Sequence, residues 1–182
     1  MKKLFTIILV LFITMAVAND LSAQTFSKGT KVAQIGLGFG FAGVYGDAGI
    51  PPITLGFQYG LEEKISVGPV LGFTTSSQEF FGGKWSYSYV VIGARGEYHF
   101  LENSEKMDAY GGVTLGYAIV SSSITDENPY YNQYYSNVSA SSSYAVYGFH
   151  VGGKYYVTPQ ISLFGELGYG IGYITVGAAY RL

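Results

Sequence analysis

From Gln34 to Phe41 the chain alternates: Ile35, Leu37, Phe39 and Phe41 fall on one side, Gly36, Gly38 and Gly40 on the other. A period of two is the mark of a strand, whose successive side chains point to opposite faces. Eight such segments run along the chain, near 31–42, 52–60, 64–75, 85–100, 106–120, 142–157, 161–170 and 172–182. Breaks rich in Gly, Pro, Ser, Asn or charge separate them, and no helical period occurs beyond the N-terminal apolar run.

The connections alternate in length. Those after the second, fourth and sixth segments are tight: LEEK (61–64), LENSEK (101–106) and TPQ (158–160). Those after the first, third and fifth are looser, at 43–51, 76–84 and 121–141, while the last, around Gly170, is short. Short turns at one end, longer loops at the other and an even strand count describe a membrane barrel with both termini on the short-turn side.

The charges fix the phase. Arg95, Glu97 and His99 share a face with Gly93, opposite Val90, Ile92, Ala94, Tyr98 and Phe100. His150 and Lys154 oppose Phe149, Val151 and Tyr155; Glu166 opposes Leu163 and Leu167; Arg181, Thr175 and Gly177 oppose Ile174, Val176 and Tyr180. Gln58 with Thr54, and Asp108 with Thr114, repeat the arrangement. Within these strands the charges fall on the glycine face.

The alternative is a soluble, lipocalin-like barrel with the apolar face inside. Two features weigh against it. The apolar face is the bulkier one, whereas eight strands enclose room for few side chains. A water-facing sheet would also carry rows of Lys, Glu and Thr rather than glycine. Aromatics gather at both ends of the apolar face, with Tyr59, Tyr98, Phe100, Tyr155 and Tyr180 near the tight turns and Phe39, Phe41, Phe73, Tyr117, Tyr147 and Tyr169 near the loops. Two aromatic belts suit two membrane interfaces. The predicted fold is therefore all-β, an eight-stranded antiparallel up-and-down transmembrane β-barrel. Ile35, Leu37, Phe39 and Phe41 are expected to face lipid. A charge at Leu55, on the lipid face, should impair assembly, and one at Val91, in the lumen, should be milder.

The N-terminus changes the picture next. Lys2 and Lys3, the run LFTIILVLFITMAVA and a small-residue site ending at Ala23 describe a secretory signal peptide over residues 1–23. Residues 24–182 then form one barrel domain, with cleavage after Ala18 as the alternative. Removing Lys2, Lys3 and Asp20 leaves eight basic and eleven acidic residues, too few and too mixed for a nucleic-acid surface. Charged residues are 12% of the chain, against about a quarter or more on a typical soluble surface. Cysteine is absent, which excludes disulfides and thiolate metal sites.

The segments GARGEYHF (93–100) and FGELGYGIGYITVGAAYRL (164–182) resemble the small, porin-like outer-membrane β-barrel proteins of Gram-negative bacteria. The resemblance implies residence in the outer membrane, contact with lipid and lipopolysaccharide, and insertion by the barrel-assembly machinery. Thr175, Gly177, Tyr180 and terminal Leu182 match the family's assembly signal, although most members end in Phe.

Chemistry is sparse. GFGFAG (38–43) has the GxGxxG spacing, but no helix follows it, and strand glycines explain it. His99 and His150 are the only histidines and have no second ligand at a metal-like spacing. No metal, cofactor or catalytic residue is expected. An outer-leaflet lipid-modifying enzyme would need a base beside a rim serine; His99 falls near a short turn and His150 at mid-depth. Arg95, Glu97, His99, His150, Lys154, Glu166 and Arg181 are expected to form a polar network filling the lumen; a narrow channel for small polar solutes is the alternative. Pro69 suggests a bulge in the third segment. Residues 121–141, with Tyr130, Tyr131, Tyr134 and Tyr135, read as an external loop suited either to recognition of an extracellular ligand or to resting at the lipopolysaccharide boundary.

Overall fold

In the computed structural model, residues 26–41, 47–80, 83–101, 104, 106–126 and 139–182 are described. The strands are β1 (Lys31–Phe39), β2 (Asp47–Ala48), β3 (Ile53–Gly60), β4 (Ile65–Phe80), β5 (Gly83–His99), β6 (Met107–Asp126), β7 (Ser139–Tyr156), β8 (Ile161–Tyr169) and β9 (Ile174–Arg181). Apart from the two-residue β2, each pairs antiparallel with its neighbours, and β1 pairs with both β3 and β9. The result is a closed eight-stranded all-antiparallel barrel. No described helix is long and apolar enough to cross a membrane. The predicted signal peptide lies outside the described residues.

The outer surface is apolar. Ile35, Leu37, Phe39, Leu55, Leu71, Ile92, Leu115, Val151 and Leu167 all stand exposed, and Tyr59, Tyr98, Phe100 and Tyr180 ring the tight-turn end. Tyr117, Tyr147 and Tyr169 ring the other end. A band of this size is far beyond what water-soluble monomers expose. It is a surface for hydrocarbon. Inward glycines make room for bulky partners on neighbouring strands: a Cβ at Gly177 would strike Phe164, one at Gly72 would strike Ile171, and one at Gly152 would strike Tyr110.

Three expectations need correction. Phe41 does not face lipid; it is buried against Val70, Val91, Ala118 and Ile171. Gly40, at φ 71°, breaks the alternation and turns the next side chain inward, and Tyr173 fills the space a Cβ would need. Pro69 makes no bulge: the β3–β4 register is the same at Gly56–Val70 and Tyr59–Val67. Only the ladder between them is interrupted, where proline has no N–H to give.

The third correction concerns the loops. Most of 76–84 is strand, because β4 and β5 pair continuously out to Phe80–Gly83. Residues 121–126 and 139–141 likewise extend β6 and β7, which pair out to Ser123–Ser139. Cross-strand pairing of hydroxyl-bearing residues, invisible to a composition argument, satisfies this backbone. The middle of the predicted loop, with Tyr130, Tyr131, Tyr134 and Tyr135, lies outside the described residues. Strands β4 to β7 thus have 16 to 20 residues, against 8 or 9 for β1, β3, β8 and β9. On one side of the barrel a sheet projects about 25 Å past the apolar band, at ~3.3 Å per residue.

Candidate functional site: the barrel interior and its polar layers

The barrel interior is built in layers. At the projecting-sheet end, Phe41, Val70, Val91, Ala118 and Ile171 form an apolar plug. Ile171 reaches it from the β8–β9 hairpin, where Gly170 takes φ 131°. At the tight-turn end, Phe26, Val32, Phe164 and Ala179 form a second apolar cluster. Phe26 comes from the segment before β1 and stacks flat on His99, with ring centroids 4.0 Å apart and planes 8° from parallel.

Between the plugs lies a charged layer. Arg95 Nη1 donates to Glu166 Oε1 at 2.8 Å, and Tyr110 Oη donates to the same oxygen at 2.9 Å. Glu97 is ringed by cations and donors: Gln58 Nε2 donates to Oε1 at 3.3 Å, His150 Nε2 stands 3.4 Å and Arg95 Nη1 3.6 Å from it, and Lys154 Nζ lies 3.5 Å from Oε2. Lys154 also sits 4.2 Å over the Tyr110 ring. Two carboxylates thus face two permanent cations, so the layer is formally neutral. Buried charges are tolerated in this form, paired and hydrogen-bonded.

Of the seven residues expected in one network, the structure joins Arg95, Glu97, His150, Lys154 and Glu166. His99 belongs to a separate cluster nearer the tight turns. Its Nδ1 stands 2.9 Å from both Asp108 oxygens, and its Nε2 3.1 Å from Ser66 Oγ. All three residues are buried. Arg181 places its guanidinium 4.8 Å over the Tyr156 ring. Thr175 and Gly177 face the lumen, whereas Tyr180 and Leu182 are exposed, the former on the apolar belt.

Sequence reasoning missed the Ser66 partnership because it sought a base beside rim serines. The signal was available: Ser66, His99 and Asp108 each lie within two residues of a tight turn, on adjacent strands and in inward phase. Phe164 shares the phase of Glu166 and was legible as inward, whereas Phe41 and Ile171, beside glycines that break the alternation, left no such trace.

Glu97, His150 and Glu166 bring potential ligand atoms within 4.8 Å of one another. They do not fit a divalent metal. Arg95 and Lys154 already balance both carboxylates, so an added ion would leave two uncompensated charges in a low-dielectric interior. The cavity beside them, lined by Arg95, His150, Glu166 and Thr175 among others, has a volume of about 20 Å³, space for a single water.

Together, fold and interior define a small transmembrane-type β-barrel whose interior holds two apolar clusters and a charged layer. Solved structures bear out the fold. The chain is similar to the outer-membrane protein OprG from Pseudomonas aeruginosa, with a TM-score of 0.61 at 11% identity over 90% of this chain and 99% of that one. It is similar to the N-terminal β-barrel domain of OprF from the same organism, with a TM-score of 0.54 at 12% identity over 85% and 98%. It also matches Ail, the attachment invasion locus protein of Yersinia pestis, with a TM-score of 0.53 at 14% identity over 85% and 99%. No protein-family model and no curated protein matches the chain. The fold is that of the small outer-membrane barrels of Gram-negative bacteria.

Proposed function

We propose that the protein is an integral outer-membrane barrel with a sealed lumen, whose projecting sheet is a surface for interactions outside the cell. The observation that carries this reading is the projection of β4 to β7 beyond the apolar band. Its outward face bears hydroxyls in register: Thr75, Ser88, Ser121 and Ser141 in one row, and Ser77, Ser86 and Ser123 in the next. Its other face carries Trp85 and Tyr87, stacked with ring centroids 6.4 Å apart. β2 covers one edge of this sheet, pairing Asp47 with Ser77. From Ser139 to Tyr147 the opposite edge, β7, has no paired strand among the described residues. An open edge offers main-chain donors and acceptors to an incoming extended segment. Ail, one of the structures the chain resembles in fold, is named for attachment.

The plugs at both mouths and the neutral charged layer support a structural barrel over a channel for polar solutes. An outer-leaflet lipid-modifying activity has no support from the geometry, since His99 and His150 both lie inside the barrel. Lipopolysaccharide and the assembly machinery remain the partners that the outer-membrane reading brings.

Fractionation with heat-modifiable gel mobility tests the location: the folded chain should sit in the outer-membrane fraction and shift on boiling. An epitope inserted near Asn132 should be reached by antibody on intact cells. Recovery of the protein as a soluble periplasmic species overturns the reading.

A further inference from the structure

We propose that Ser66, His99 and Asp108 form a latent acyl-transfer site for small aromatic esters, entered from the tight-turn mouth and held shut by Phe26. This goes beyond the sealed-barrel reading, which treats Phe26 only as a plug. The geometry orders three groups as nucleophile, base and orienting acid. A carboxylate can only accept, so His99 Nδ1 must carry the proton it shares with Asp108 at 2.9 Å. In the neutral ring Nε2 is then the acceptor, and Ser66 Oγ, 3.1 Å away, donates to it. Asp108 thus fixes the tautomer that makes His99 a base toward Ser66.

Three consecutive strand ends build this arrangement. Ser66 is the second residue of β4, His99 closes β5 and Asp108 is the second residue of β6, all beside tight turns and all facing inward. Lys154, register partner of Asp108, brings a buried ammonium to the same end, with N–H donors to spare for a developing oxyanion.

Phe26 identifies the substrate class. Its ring lies flat on the imidazole at 4.0 Å, so a planar aromatic group already occupies the face of the base. An aryl ester whose ring took that place would bring its carbonyl toward Ser66. The blocking segment precedes β1, and Phe26 anchors it against Val32, Phe164 and Ala179. Its ties to the barrel include Gly29 N to Gly60 O at 2.8 Å, Gly60 N to Thr30 O at 2.8 Å and the exposed Lys28–Glu62 pair at 2.8 Å. Cleavage after Ala23 would leave Phe26 third from the new N-terminus, where fraying is cheapest.

In the reaction, Ser66 Oγ bonds to the acyl carbon while its proton moves to His99 Nε2. The carbon–oxygen bond to the phenol breaks, and His99 returns that proton to the departing phenolate. Water, deprotonated by His99, then releases the carboxylic acid and regenerates Ser66.

The test uses the full mature chain folded in detergent micelles, with p-nitrophenyl acetate as the substrate and heat-modifiable mobility as the check on folding. Phe26→Ala should release p-nitrophenol at least about tenfold faster than wild type and carry an acetyl group on Ser66, read by peptide mass. Adding Ser66→Ala should abolish both. Adding His99→Gln should lower the rate by about a hundredfold, in the range of general-base effects, and free imidazole should restore part of it in a His99→Gly version. Asp108 is a positioning residue: Asp108→Asn should slow acylation and Asp108→Glu recover it, with mobility unchanged. A folded Phe26→Ala protein whose Ser66 is not acylated overturns the proposal. Wild type supplies a second measurement if that variant does not fold. Prolonged exposure to phenylmethylsulfonyl fluoride should modify Ser66 selectively, and modification confined to exposed loop serines overturns the proposal equally.

Discussion

Each mouth of the barrel carries an apolar cluster, and the two are built differently. The mouth under the projecting sheet is dry: Phe41, Val70, Val91, Ala118 and Ile171 pack together with no polar partner in the cluster. Three of these five belong to barrel strands, so the plug cannot leave without the wall. At the tight-turn mouth Phe26 packs with Val32, Phe164 and Ala179 of the wall and lays its ring on a polar cluster of His99, Asp108 and Ser66. That ring belongs to no strand. Both clusters are thus built largely on the wall, but at the tight-turn end the ring that covers the polar cluster comes from the segment before β1. The charged layer between them belongs to both.

The largest effect should come from that shared layer. Glu97→Leu removes the carboxylate that Arg95, His150 and Lys154 all face, and leaves one buried cation uncompensated. About 3–5 kcal/mol should be lost in urea unfolding from micelles or bilayers. A loss under about 1 kcal/mol, the scale of a solvated pair, would mean that water already enters the layer, and the lumen would not be sealed.

Val91→Asp comes next, and here the structure reverses the expectation from sequence. Val91 does face the lumen, but at a level where the lumen is dry. An unpaired carboxylate there should cost as much as Leu55→Arg on the lipid face, about 2–4 kcal/mol, or more. Refolding yield in bilayers compares the two variants directly. Tolerance of Val91→Asp alone would show the outer plug to be wet.

Truncating each plug should then separate the two mouths. Ile171→Ala should cost about 2 kcal/mol, as buried aliphatic truncations do, whereas Phe26→Ala should cost less because its segment can relax. Neither should give steps of ion conductance in planar bilayers, because the Arg95–Glu166 and Glu97–Lys154 pairs still span the lumen. Conductance from Phe26→Ala alone would place the only seal at the tight-turn mouth.

The smallest effect should follow from Lys28→Ala. The Lys28–Glu62 pair is exposed to solvent and contributes little. Glu62 holds the ammonium charged beyond the ordinary lysine range, through a hydrogen bond and its charge. A raised folded-state value means that the contribution is whole below the unfolded value of 10.5 and fades as pH climbs past it. Thermal unfolding should therefore show a slight difference between wild type and Lys28→Ala at neutral pH, and none above the lysine range.

Much of this molecule follows from alternation alone. The period of two, the placing of the mid-strand charges on the glycine face and the bulk of the opposite face gave the strand number, the barrel and the lipid-facing side. The physical reason is that a one-residue slip exchanges the faces of a strand, so each charged residue fixes the phase of its neighbours. Arg95, Glu97, His150, Lys154 and Glu166 were thus legible as inward residues. Their partners were not, since pairing depends on shear between strands that touch across the lumen. Tertiary structure alone decided the exceptions to alternation. Gly40 and Gly170 turn Phe41 and Ile171 into the mouth, and a residue outside every strand, Phe26, covers His99. It also decided where strands end, because Ser and Thr along β4 to β7 look like loop until cross-strand neighbours satisfy their backbone. Periodicity reports which way a side chain points; only the closed barrel determines what it meets there.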